Sequence, residues 1–190
     1  MNLQELRQKI YDRHYIYCNQ KYADSLPYSF HIQCVEAQGE KFLHLVKQHI
    51  VRAKYQGCEF NGVTIELVVL LSLSAHDLQE DGRMTYNDIK DLASELGNSI
   101  AGEMVADIVY CVTDLKGKTR KERKSDKYYQ ELKSNKLAVF VKLADISANT
   151  LFSKLTGSSM YDKYKSEFKH FKEMCYIEEY KEFFDYLESL

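Results

Sequence analysis

The chain holds one proline and eight glycines in 190 residues. That is too little punctuation for an all-β protein, whose short strands are divided by turns rich in both. Its five cysteines, Cys18, Cys34, Cys58, Cys111 and Cys175, are scattered and odd in number, with no C-x-x-C spacing. A disulfide framework is therefore not expected, and a reducing cytoplasm fits. A dominant charge is also missing. The net charge is -2 with 28% charged residues, so no global field draws the chain to nucleic acid or an anionic membrane. Any anionic ligand has to be met locally. The longest nearly apolar run, residues 67–75, falls far short of the roughly 20 residues of a membrane span, and "MNLQELRQKIYDRHY" lacks the apolar core of a signal peptide. The expectation is a soluble cytoplasmic protein with neither membrane nor nucleic acid as partner.

What is present reads as helix. With 45% hydrophobic content, residues 1–190 suit a single domain with one core. The spacing predicts a first helix over about 3–21, ahead of the lone proline, and a second from about 31 through "EKFLHLVKQHIVRAKY", ended by "YQGCEFNG". A third, from about Thr64, is apolar nearly all round and therefore central. The β-branched run "VTIELVVLL" also reads as a buried strand, but no partner strand of similar character exists. Thr85 and Asp88 resemble a capping box, with Gly97 where a helix would end. "SIAGEMVADIVYCV" follows at helical spacing, then a charged connection expected to be mobile, then a second core helix, "NKLAVFVKLADISANTLFSKL", for which Ser134 offers a cap. Phe168, Phe171, Ile177, Tyr180, Phe183, Phe184 and Leu187 form a stripe suited to covering a bundle.

The third helix runs into "HDLQED". On a continuing helix, His76 would sit above Glu80 and Asp77 above Asp81. Burying three such carboxylates together is costly unless a cation neutralises them, while a solvated last turn is the plainer alternative. A second acid, Asp145, is embedded in "VFVKLADISAN", with Lys142 three residues before it and Asn149 four after. His31, just past "LPYSF", could add an imidazole. His31, His76, Asp77 and Asp145 together would form a mixed nitrogen and oxygen shell suited to manganese, iron or zinc, with positions left for water. His14, His44, His49 and His170 have no acidic partners at ligand spacing and read as surface or packing residues.

These residues carry a resemblance. "HDLQED" matches the HDxxED signature of the hydrolase domain of RelA/SpoT-type alarmone enzymes, a branch of the HD-domain metal phosphohydrolases. "PYSFH" is similar to that family's PYxxHP segment, with Ile32 in place of the usual proline. "ELGNSIAGEMVADIVYCVTDLK" resembles its FGxxVxxLVxxVTxxK block, and "VKLADISAN" its VKLADxxxN segment. The four blocks occur in order over residues 28–149, ahead of a helical cover over 159–190.

The resemblance implies an all-α HD-domain bundle with a single metal site between central helices. One divalent ion, usually manganese, with iron or zinc as alternatives, would be held by His31, His76, Asp77 and Asp145. It implies hydrolysis of the 3′-pyrophosphate of guanosine tetra- or pentaphosphate to GDP or GTP and pyrophosphate, by a stand-alone small alarmone hydrolase. Glu80 and Asp81 would be the catalytic pair that orients the nucleophile and moves protons. Lys116, Lys142 and Asn149 would meet the nucleotide, and Tyr161 and Tyr164 fall where relatives place an aromatic near base or ribose. Lys21 is the only cation in "NQKYADSLPY", the stretch in which the family carries an arginine-lysine pair. A homo-oligomer and a cognate alarmone synthetase are candidate partners. Two other readings remain at this stage: an HD phosphohydrolase for another nucleotide, such as an adenosine alarmone, NADPH or a dNTP, and a non-catalytic nucleotide-binding or antitoxin-like module.

Overall fold

Two helices that are apolar on most of their circumference can be buried only by surrounding them with others, and the chain folds that way. A computed structural model describes residues 1–114 and 118–190. Helix α3 (Ile65–Ala75) is capped by Thr64, whose hydroxyl accepts from the Leu67 amide at 3.3 Å. Helix α8 (Lys136–Thr156) is the longest. Helices α2 (Tyr28–Lys41) and α5 (Ser99–Val112) pack against both. Helix α1 (Leu3–Asp12) closes over α3, and α4 (Tyr86–Ser94) lies along α5. Thr85 and Asp88 form the expected capping box, and Gly97 leaves α4 at φ 105°, a conformation that suits glycine. The protein is an all-α bundle. No described helix is long and apolar enough to cross a membrane.

The outer cover is α9 (Met160–Cys175) and α10 (Lys181–Ser189). All seven residues of the C-terminal stripe are buried. Phe183 stacks on Phe42 with ring centroids 4.1 Å apart, joining the end of the chain to the end of α2.

The close approach of α2 to α3 depends on Gly39. A Cβ at that position would run into the side chain of Leu73. Gly39 is two helical repeats beyond His31 on the same face, with Val35 between them.

Several boundaries differ from expectation. The first helix leaves α geometry after Asp12, widens into a π turn over Arg13–Tyr17 and stops there. Arg13 is drawn to the turn after α3, donating from Nε to the Gly82 carbonyl at 2.7 Å and from Nη2 to the Arg83 carbonyl at 3.0 Å. The second helix ends at Lys41, and residues 43–55 form three short 3₁₀ turns. Tertiary contacts override the helical spacing there, because Phe42, Val46, Ile50, Val51 and Tyr55 are all buried while Arg52, Lys54 and Tyr55 reach Asp107 on α5. The described part of the charged connection is largely helical, with α6 (Arg120–Arg123) and α7 (Asp126–Lys133), the latter anchored by buried Tyr128, Tyr129 and Leu132. The cap of α8 is Asn135, not Ser134. Ser134 instead donates to the Glu131 carbonyl at the end of α7, at 2.7 Å.

Candidate metal centre

Helix α3 stops at Ala75, so the acids of "HDLQED" do not stack on a continuing helix as expected. They lie on consecutive turns, held by the Asp81 amide to the Asp77 carbonyl (2.8 Å) and the Gly82 amide to the same carbonyl (3.1 Å). Leaving the helix lets His76 and Asp77 face α2 and α8 while Glu80 faces the end of α5. His31 comes from the first turn of α2 and Asp145 from the middle of α8.

Four of the sequence candidates converge. His31 Nε2 and His76 Nε2 stand 3.3 Å apart. Asp77 Oδ2 is 2.9 Å from His76 Nε2 and 3.7 Å from His31 Nε2, and Asp145 Oδ1 is 3.5 Å from His31 Nε2. His31, His76 and Asp145, all buried, each present a ligand atom within 4.8 Å of the others, the spacing of a metal site. His76 Nδ1 donates to the Leu73 carbonyl at 2.8 Å. That bond fixes the tautomer and turns the Nε2 lone pair towards the carboxylates.

Lone pairs and carboxylate oxygens facing one another require a cation between them. Without a metal, His76 supplies it as a proton: burial lowers its pKa, but Asp77 and then Asp145 outweigh burial and raise it to about 9. His31 is driven the other way, to about 4, first by burial and then by His76. The Asp77 carboxyl is held well below its usual range, because His76 beside it overcomes the opposing effect of burial. A divalent ion meets the same demand as the proton, so the donor set fits one.

Polar groups fix the carboxylates from behind. Tyr28 donates its hydroxyl to Asp77 Oδ2 and lies 3.3 Å from Asp81 Oδ2. Lys142 Nζ bonds Asp145 Oδ2 at 2.9 Å. Burial pushes the Asp145 carboxyl up, but that ammonium overrides it and holds the pKa below its usual range. Asn149 Nδ2 donates to Asp145 Oδ1 at 2.6 Å, and Tyr22 donates to Asn149 Oδ1 at 2.9 Å. Tyr22 sits on a two-strand antiparallel pair, β1 (Lys21–Tyr22) and β2 (Leu26–Pro27), and stacks on His31 with centroids 4.7 Å apart.

The cluster opens into a cavity of about 220 Å³. Glu80 and Asp81 line it, as do Lys142, Asn149 and Tyr164. Glu80 Oε1 accepts from the Asp114 backbone amide at 2.7 Å. Burial raises the Glu80 carboxyl to about 7, against the opposing pull of Lys142 and with help from Asp77 and Asp114. One oxygen is thus pinned and the group changes protonation near neutrality.

Other expected contacts do not reach this cavity. Lys21 is exposed, its ammonium 5.9 Å from the ring centroid of Tyr15. Tyr161 donates to the Leu190 carbonyl at 2.6 Å, away from the cavity. Lys116 lies outside the described residues. His14, a packing residue, is fully buried and stacked on Tyr28 at 4.8 Å. Sequence reasoning missed Tyr22, Tyr28, Asp114 and Arg123 in the cavity wall. Tyr28, Asp114 and Tyr22 had a signal, since they belong to the quoted "PYSFH", "ELGNSIAGEMVADIVYCVTDLK" and "NQKYADSLPY"; Arg123 meets the site only through tertiary packing. No known family model, curated protein or solved structure matches the chain.

Proposed function

We propose that the protein is a divalent-metal-dependent nucleotide phosphohydrolase of the HD type, acting on the 3′-pyrophosphate of guanosine tetra- or pentaphosphate. The observation that carries this reading is the convergence of His31, His76, Asp77 and Asp145 beside a half-buried carboxyl, Glu80, in one cavity. His31, His76 and Asp145 would hold the ion, with Asp77 beside them, and manganese suits a set of two imidazoles and two carboxylates. When bound, such an ion supplies Lewis-acid activation of water and of a phosphoryl oxygen at neutral pH.

The protein's own groups account for the rest. Glu80 Oε1 is committed to the Asp114 amide, so Oε2 is the oxygen left to hold or deliver a proton. That oxygen would take a proton from the attacking water and return one to the departing ribose 3′-oxygen, a poor leaving group without protonation. Asp81, 3.3 Å from the Tyr28 hydroxyl, orients the water from the same turn. Lys142 keeps Asp145 ionised and in place. Tyr164, Tyr129 and Phe171 give the cavity wall an aromatic character suited to a nucleoside.

The test is to incubate the full chain with manganese and ppGpp, ppApp, NADPH and dNTPs, and to identify products by mass. Pyrophosphate release from ppGpp supports the reading. Turnover of another member alone keeps the chemistry and changes the substrate. No turnover of any member, with Glu80→Ala indistinguishable from wild type, refutes it.

A further inference from the structure

The cavity has a charge problem. Six carboxylates line it, against three lysine or arginine side chains among the described residues. A pyrophosphate would enter a wall with more negative groups than positive ones.

Two of the three bases already have partners. Lys142 Nζ is held by Asp145 at 2.9 Å, and Lys124 Nζ by Glu167 at 2.6 Å. Arg123, at the end of α6, differs from both. Its Nε is buried with no hydrogen-bond acceptor among the described residues. The side chain lines the main cavity and also an adjoining one of about 110 Å³, which shares Asp114 and Tyr128 with the first. A buried donor without an acceptor is costly, and a ligand that supplies the acceptor removes that cost. A guanidinium also presents planar paired donors that match two oxygens of one phosphate group.

We propose that Arg123 is the anion anchor of the cavity and takes non-bridging phosphate oxygens of the substrate. Lys142 is committed to holding a carboxylate, and Lys124 to Glu167. Arg123 carries binding rather than chemistry, standing at the partition between two cavities instead of beside the His-Asp cluster. The inference rests on the phosphohydrolase reading for the identity of the substrate, but anion binding can be measured without turnover.

The probe is inorganic pyrophosphate, titrated calorimetrically into the full chain in two arms, with manganese and with excess chelator. The proteins are wild type, Arg123→Lys, Arg123→Gln and Lys118→Gln. Lys118 is exposed and outside the cavity, so its variant controls for loss of one charge. The expected result is binding by wild type in at least one arm, weakened about ten-fold or more in Arg123→Gln, less in Arg123→Lys, and unchanged within about two-fold in Lys118→Gln. No binding by wild type in either arm overturns the proposal. So does equal binding by Arg123→Gln, or equal weakening by Lys118→Gln.

If the substrate panel shows turnover, Arg123→Gln should raise KM about ten-fold with kcat changed by less than about three-fold. A residue that only supported the fold would lower melting temperature and kcat and leave no such split. If the panel shows no turnover, Arg123-dependent pyrophosphate binding still stands or falls by itself, so the two failures are distinguishable.

Discussion

Two acidic clusters, one on α5 and one between α8 and the turn after α3, are built to opposite ends. On α5, Asp107 accepts from the hydroxyls of Tyr55 at 2.8 Å and Tyr86 at 2.9 Å, with Lys54 Nζ at 2.7 Å and Arg52 Nη1 at 3.3 Å. The protein itself satisfies that carboxylate, and in doing so fastens the 3₁₀ turns of residues 43–55 to α5. Asp77 and Asp145 are also held, by Tyr28, Lys142 and Asn149, but one oxygen of each still faces imidazole nitrogens. A closed cluster of this kind holds a fold together. One whose carboxylates face imidazole nitrogens across a cavity could hold an ion as well.

The largest separation between the two should appear on removing a ligand. His76→Ala is expected to abolish manganese binding, measured by calorimetry, and to reduce turnover to background. Retained binding would mean that the open cluster is not a metal site. Next is Glu80→Gln, which should keep manganese affinity within about three-fold while lowering kcat by about 10²- to 10³-fold. Loss of both together would make Glu80 a ligand and redraw the boundary between metal and proton chemistry.

Manganese itself gives a third measurement. At about 100 times its Kd it should stabilise the fold by about 2.7 kcal/mol. For a chain of this size that corresponds to a rise of about 5–10 °C in Tm. Excess chelator should reverse the rise, and His76→Ala should not show it. Asp107→Asn should do the reverse, lowering stability by about 2 kcal/mol while leaving manganese affinity untouched. An equal effect on metal affinity would show that the two clusters are coupled.

The smallest effect is a pH dependence. Burial pushes the Asp107 carboxyl up, but the hydrogen bonds from Lys54, Tyr55 and Tyr86 prevail and lower its pKa below the usual value. A carboxyl depressed in the folded state contributes stability that is complete above its unfolded pKa and lost as pH falls through the folded one. Acid unfolding curves of wild type and Asp107→Asn should therefore converge below the ordinary carboxylate range and separate above it. A constant offset across that range would show that Asp107 acts through packing alone.

Much of this was legible in the chain. The apolar circumference of Ile65–Ala75 and of Lys136–Thr156 marked both central helices, and Thr85, Asp88 and Gly97 marked α4 because caps are local chemistry. His31, His76, Asp77 and Asp145 could be named as one set before their geometry was known. Residues 43–55 could not be read. Phe42, Val46 and Ile50 keep helical spacing, yet Phe183 and Asp107 lie more than fifty residues away in sequence and decide their conformation. Arg123 was hidden for the opposite reason. In a run of seven basic residues over 116–127, nothing local distinguishes Arg123, whose Nε is buried without an acceptor among the described residues.

Gly39 has a consequence for the His-Asp cluster. It touches nothing at the centre, yet it lets the helix that carries His31 settle against the helix that leads into His76. The gap between the two imidazoles is thus gauged from two turns away by a residue with no side chain. Any larger residue at that one position would press on Leu73 and push the two helices apart, spreading the cluster without altering any of its four side chains.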